Sequence, residues 1–430
     1  MADPVWKPHR RVLLASLVGT TVEFYDFYVY ATAASLFFGP LFFPSSDPSA
    51  QLLLAFATLG LAFVARPVGA VIFGHFGDRI GRKSTLVASL LLMGVSTTLI
   101  AFLPTYAQAG WVASLLLCLL RFGQGLGLGG EWGGAALLAV ENAPPGWRGR
   151  FGMVPQLGAP LGFIAANGFF LLLGEFLSDQ AMAEWGWRIP FLASAILVGL
   201  GLWVRVKLTE TPAFAAALAE APPEAVPLAS MARNHLGVTV IGMFGVVACF
   251  ALYYITTAFA LGYGTTALGY DRNAFLLIQL GAILFMAGGI VLAGIASDRF
   301  DARRTLIGGC AATVVVGLLI APMLGSGSLL LAFLFLCFAL SAMGFTYGPL
   351  GAWLPELFPP HVRYTGASIA FNVGGILGGA LTPIFAQILA TNYGLGWVGL
   401  YCSACGALSL VVLLMARGKG AGELSRVANR

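Results

Sequence analysis

Apolar residues along this chain come in long unbroken runs, and charged residues gather between the runs. Twelve runs reach or approach the roughly 20 residues that an α-helix needs to cross a bilayer. They predict helices at about 11–38, 50–75, 84–104, 110–138, 151–174 and 187–206, and again at about 235–262, 274–297, 305–322, 328–352, 365–390 and 396–416. Between the two sets, residues 207–233 hold Pro212, Pro222, Pro223 and Pro227 with Glu210, Glu220 and Glu224, and read as a linker. The expected organisation is a six-helix bundle over 1–206, a linker over 207–233 and a second six-helix bundle over 234–430.

Composition turns these runs into a membrane protein. The 430 residues are 59% hydrophobic and 10% charged, with a mean hydropathy of +0.88, against about 25% charge in a soluble chain. A soluble core cannot hide that much apolar surface, so the fold class is all-α and polytopic, with the lipid bilayer as its surroundings. Glycine supplies 56 residues, as close helix packing in lipid requires. Nineteen of the 23 Lys and Arg lie in or beside loops and tails on the side of the turn at 74–83, while the opposite loops hold Asp47, Glu175, Asp179, Glu184 and Asp271. The basic excess marks the cytoplasmic side and places both termini there. Lys7, Arg10 and Arg11 precede the first run, but Glu23 and Asp26 interrupt it and no small-residue cleavage site follows, so it reads as a retained helix. The six cysteines fall inside apolar runs, without metal-like grouping, and read as packing residues.

The charged turns repeat. Gly294, Asp298, Arg299 and Arg303 fall 220 residues after Gly74, Asp78, Arg79 and Lys83, with Ser297 and Asp301 standing where the first turn has Gly77 and Gly81. Glu356, Pro359, Pro360 and Arg363 fall 215 residues after Glu141, Pro144, Pro145 and Arg148. Two matches at nearly one offset indicate an internal duplication. Six helices per half, with matching loops on one face, make parallel repeats about an axis along the membrane normal, and a central cavity is expected between them. Ion pairs among Asp78, Arg79, Arg82, Glu131, Glu141, Arg148, Asp298, Arg299, Glu356 and Arg363 are expected to gate one face, the alternative being charged turns that only fix topology.

The chemistry expected in the cavity is proton and carboxylate chemistry. Glu23 and Asp26 are three apart near the middle of the first helix, so both can face one side of it, and bare carboxylates there face protein or water. Asp26 is read as the proton carrier and Glu23 as its neighbour, against a packing role in which Tyr28 or Tyr30 bonds them. Arg121, near the middle of the fourth helix, keeps its charge and needs a carboxylate partner or an anionic ligand, and Asp26 is expected to serve as that partner at rest. Arg66, before Pro67, either reaches the cavity or snorkels to the surface. Tyr30, Gln124, Gln156, Asn167, Tyr253, Tyr254, Gln279, Tyr347 and Asn372 are the polar candidates for lining it, while Trp132, Trp353 and Trp397 read as interfacial or packing groups. There is no Gly-Lys-Ser/Thr nucleotide loop, no redox motif and no nucleophile or metal cluster, which leaves an enzyme or sensor without chemistry. No nucleic-acid partner is expected either.

The turn Gly74-His75-Phe76-Gly77-Asp78-Arg79-Ile80-Gly81-Arg82-Lys83 resembles the loop between helices two and three of the major facilitator superfamily. Glu23-Phe24-Tyr25-Asp26-Phe27-Tyr28, Arg66-Pro67-Val68-Gly69, and Arg121-Phe122-Gly123-Gln124-Gly125 through Gly129-Gly130-Glu131-Trp132 resemble its metabolite:proton symporter family. Phe43-Pro44-Ser45-Ser46-Asp47-Pro48 and Trp185-Gly186-Trp187-Arg188-Ile189-Pro190-Phe191 are similar to the shikimate-permease-like branch. The resemblance implies a secondary active transporter of the bacterial inner membrane, functional as a monomer, with the proton as coupling ion and no other cofactor. It imports a small organic acid such as shikimate or alpha-ketoglutarate by alternating access, or alternatively a zwitterion such as proline or betaine.

Overall fold

The computed structural model describes residues 6, 9–45, 47–80, 82–206, 235–358 and 363–416, with the side chains of 74–86 and 204–206 outside that description. Among the described residues twelve helices carry the fold: α1 (Arg10–Phe42), α2 (Pro48–Ile80), α3 (Arg82–Ile100), α4 (Trp111–Glu141), α5 (Arg148–Phe176), α6 (Arg188–Val206), α7 (Leu236–Thr266), α8 (Arg272–Phe300), α9 (Ala302–Leu324), α10 (Leu329–Glu356), α11 (Arg363–Tyr393) and α12 (Leu395–Met415). Among the described residues ten helices are long and apolar enough to cross a membrane alone. An eleventh span is α6 joined to Asp179–Gly186, from which it bends by 48°, and the apolar part of α3 is Val87–Ile100. In hydrocarbon the backbone has no water to bond, so apolar runs of this length close their hydrogen bonds within themselves as helices. The expected linker at 207–233 lies outside the described residues, as do the side chains of Asp78, Arg79 and Arg82.

Each half packs within itself: α1 on α5, α4 on both α2 and α3, and α6 on α3, mirrored by α7 on α11, α10 on α8 and α9, and α12 on α9. The halves meet along α2 with α11 and along α5 with α8. A shift of six helices turns one seam into the other, which is the two-fold relation the duplicated turns predict. Glycine permits the tightest of these approaches, since a Cβ on Gly351 of α10 would run into the Gly152 carbonyl of α5.

Several spans are broken where the halves touch. α4 unwinds at Gly129 and Gly130, and α11 caps the freed carbonyls: Asn372 Nδ2 donates to Gly129 O at 3.0 Å and Tyr364 Oη donates to Gly130 O. Such a break is tolerated in a membrane span because a neighbouring helix satisfies it. π-Helical turns widen α1 at Ala34–Phe38 and α7 at Ile255–Phe259, beginning 255 − 34 = 221 positions apart, close to the spacing of the duplicated turns. These two turns touch, Ser35 Oγ donating to Ala258 O at 3.3 Å.

Polar contacts join the halves at both ends of the central seam among the described residues. On the face carrying the basic turns, called here the basic face, Asp298 of α8 accepts from the backbone N–H groups of Gly149 at 2.6 Å and Arg150 at 3.1 Å. These are first-turn donors of α5, which has no side-chain cap of its own, so a carboxylate from the other half caps it. Arg150 Nε adds an ion pair to Asp298 at 3.4 Å, and Arg148 approaches Glu356 at 3.5 Å. At the opposite face Arg272 reaches Asp179 at 2.8 Å. Asp301, where the first turn has glycine, takes φ 107°, a conformation that favours glycine.

Candidate functional site

Between the halves, near the middle of α1, lies a small cavity lined by Glu23, Phe24, Phe27 and Tyr28 of α1, Arg66 of α2, Leu128 and Trp132 of α4, and Ala159 of α5. The second half supplies Cys249, Phe250, Tyr253 and Tyr254 of α7, Met343 and Tyr347 of α10, and Phe371 of α11. On α1 the lining positions are i, i+1, i+4 and i+5 from Glu23, and on α7 they are i, i+1, i+4 and i+5 from Cys249. That spacing lays one stripe along each helix, so duplicated helices face one another across the seam. Its volume is about 30 Å³, room for one or two waters rather than a metabolite.

Glu23 and Arg66 are its two charged groups, 6% and 8% exposed, and Arg66 lies within electrostatic reach of Glu23, Tyr28, Tyr254 and Tyr347. Its guanidinium carbon sits 4.4 Å from the Phe63 ring centroid and 4.9 Å from that of Phe27, while its Nε has no hydrogen-bond partner. A buried guanidinium with a donor to spare is ready to donate to a carboxylate. Towards the basic face the cavity is floored by Trp132 stacked on Phe371 at 3.7 Å and 2°. Trp132 also donates through Nε1 to Gln156 Oε1 at 3.3 Å.

Asp26 and Arg121 are elsewhere, and their expected pairing is corrected. Asp26 is fully buried on the other side of α1, where its Oδ1 accepts from Ser194 of α6 at 2.5 Å and Thr97 of α3 stands within reach. Arg121 Nη1 donates to Gln124 Oε1, and Gln124 Nε2 donates to the Asp26 carbonyl at 3.1 Å and to Thr97 at 2.9 Å. The guanidinium lies 3.9 Å from the Tyr30 ring centroid and 4.7 Å from that of Phe27, with Nε and Nη2 unbonded. Phe27 touches both arginines but gives only Arg66 to the cavity. Three residues along a helix is a turn of about 300°. In a helix buried all round, that suffices to send Glu23 and Asp26 to different neighbours.

Of the other expected residues, Tyr253, Tyr254 and Tyr347 line this cavity, and Asn167 and Gln279 line a second one described below. Tyr30 instead donates to Thr58 at 2.6 Å, Gln124 and Gln156 bond within the first half, and Asn372 caps α4. Glu131 is buried at the start of the second segment of α4. Glu141 and Arg363 stand at helix ends on the basic face, near Arg148 and Glu356. Arg299 lies against the Phe300 ring at 5.5 Å. Trp132 is corrected from a packing group to part of the cavity floor. Phe24, Phe27, Phe250 and Phe371 also line the cavity; the stripe spacing of the first three with Glu23 and Cys249 is visible in the sequence, whereas nothing in the sequence marks Phe371.

The family described as "Sugar (and other) transporter" matches residues 12–240 and 237–416. The chain is 51% identical to the inner membrane metabolite transport protein YhjE of Escherichia coli K12, over 94% of this chain and 93% of that protein. It is 36% identical to the shikimate transporter of the same strain, over 94% of each. A partially occluded inward-open structure of the xylose transporter XylE from E. coli superposes with a TM-score of 0.74 at 18% identity, covering 95% of this chain and 97% of that one.

Proposed function

Because the chain belongs to the sugar (and other) transporter family of the major facilitator superfamily, among its metabolite:proton symporters, we propose that it imports a small carboxylated solute together with a proton. The observation that carries this reading is the pair of opposite charges, Glu23 and Arg66, in a small cavity between two related halves. With Glu23 ionised, Arg66 has its counter-charge. Protonating Glu23 releases the guanidinium to take a solute carboxylate in two parallel hydrogen bonds. Neither a lone carboxylate nor a lone guanidinium is then left in the low-dielectric site. This reading moves the exchange expected of Asp26 and Arg121 to Glu23 and Arg66.

Proton and solute enter from the face opposite the basic turns, the halves rock, and both leave at the basic face, which the distribution of Lys and Arg makes cytoplasmic. The relationship to an inner-membrane protein supports a bacterial inner-membrane location. In proteoliposomes, Glu23→Gln is expected to keep solute counterflow, which needs no proton gradient, and to lose pH-driven accumulation by at least about tenfold. Wild-type accumulation in that variant would falsify the assignment. A second reading, a zwitterion, draws support from the Trp132, Tyr253 and Tyr254 faces, which suit a quaternary ammonium.

A further inference from the structure

Away from the basic face, the Tyr28, Tyr253 and Tyr254 rings separate the charged cavity from a second chamber lined by Thr32, Ser35, Asn167, Thr257 and Gln279. No charged residue lines it, and its open space is about 10 Å³, room for one oxygen-sized group. Two side chains in it are built but incompletely used. Gln279 of α8 donates its Nε2 to the carbonyls of Thr256 and Thr257, both at 3.0 Å, which fixes the amide and turns Oε1 away without a partner. Asn167 of α5 accepts through Oδ1 from the Thr32 hydroxyl, leaving Nδ2 without a partner. They are 1% and 0% exposed, one from each half. Buried amide atoms left so cost stability unless a ligand or water completes them.

We propose that this chamber is a hydroxyl-reading subsite, so that the solute is a hydroxylated carboxylate; this rests on the carboxylate reading of Arg66. A single group that completes both atoms accepts from Asn167 Nδ2 and donates to Gln279 Oε1. A water, with no solute bound, or an alcohol hydroxyl of the solute does both, a carboxylate only accepts, a primary ammonium only donates, and a quaternary ammonium does neither. Along α1 the chambers run from Glu23 to Ser35, a span of about 18 Å at most, so a small ring or short chain carries its acid end at Arg66 and a hydroxyl at the amides. A zwitterion such as betaine satisfies the first chamber and leaves the second unbonded.

The test measures binding to the purified full-length protein for matched pairs: shikimate against cyclohex-1-ene-1-carboxylate and lactate against propionate, with glycine betaine alongside. The hydroxylated member of at least one pair is expected to bind at least about tenfold tighter. Gln279→Leu and, on the other half, Asn167→Leu should each bring that pair to within about twofold while sparing the deoxy member, with the thermal midpoint reporting folding. Arg66→Ala should weaken both members alike. Equal binding within every pair, a preference that survives both leucine variants, or glycine betaine binding as tightly as the best hydroxy acid overturns the subsite. Hydroxyl preference that persists without any dependence on Arg66 leaves the subsite standing and overturns the carboxylate reading instead.

Discussion

Arg66 and Arg121 are chemically identical side chains with different work, and their surroundings say which. Arg66 faces the cavity beside Glu23, whereas Arg121 is closed off behind Phe27, on the Tyr30 face and Gln124. Lysine keeps charge but loses the planar fork and the stacking surface. Arg66→Lys is therefore expected to weaken binding of a carboxylated probe by about tenfold or more, the loss of a bidentate geometry, with little change in thermal midpoint. Arg121→Lys should do the reverse, costing about 2 kcal/mol or more of stability while leaving affinity within about threefold in the protein that folds. Calorimetric binding paired with detergent-state unfolding distinguishes the two, and the opposite pattern would return the solute site to Arg121. The sequence shows that both arginines and both acids lie inside apolar helices. Facing is not legible there, because α1 is buried on nearly all sides and has no polar stripe to orient it.

At the scale of elements, the halves meet at the basic face through a helix start capped by a carboxylate from the other half. Asp298 takes two backbone donors of α5 and the Arg150 side chain, three charge-assisted interactions that exist only while this face is closed. Arg148 with Glu356 is half exposed and adds little. Asp298→Asn keeps an acceptor but loses its charge, so the closed state should lose about 2 kcal/mol, roughly thirtyfold in the ratio of states. Alkylation of a Ser368→Cys reporter, buried beside Gly133, should then speed up; an unchanged rate in an inserted protein removes Asp298 from the gate. The repeated spacing of Asp78 and Asp298 marks Asp298 in the sequence as a candidate gate residue. What the sequence withheld was the partner, because an N–H donor at a helix start leaves no residue-type signal. The breaks at Gly129 and in the paired π turns were likewise hidden inside uniformly apolar runs.

At the scale of the whole molecule, contacts join the halves at both faces and the space between them is too small for a metabolite, so a solute enters only if the seams α2 with α11 and α5 with α8 open in turn. Twelve helices, the two-fold relation and the basic face were all readable from run lengths, duplicated turns and the distribution of Lys and Arg, because lipid imposes those patterns on any sequence that crosses it. How near the halves come was not readable, and at Gly152 and Gly351 the distance is decisive. Gly152 lies within 3.1 Å of Ala352 N for any added Cβ, and one on Gly351 meets the Gly152 carbonyl. The obstacle is backbone, which has no rotamer to yield. Gly351→Val should hold the basic face apart, and rocking halves cannot then open the opposite face. Uptake is expected to fall at least about tenfold, because the state in which both halves line the cavity is disfavoured. The Ser368→Cys reporter should alkylate in nearly every molecule. Wild-type uptake in Gly351→Val would mean that transport never requires the two halves to close at this contact, and rocking about the central cavity would have to be abandoned.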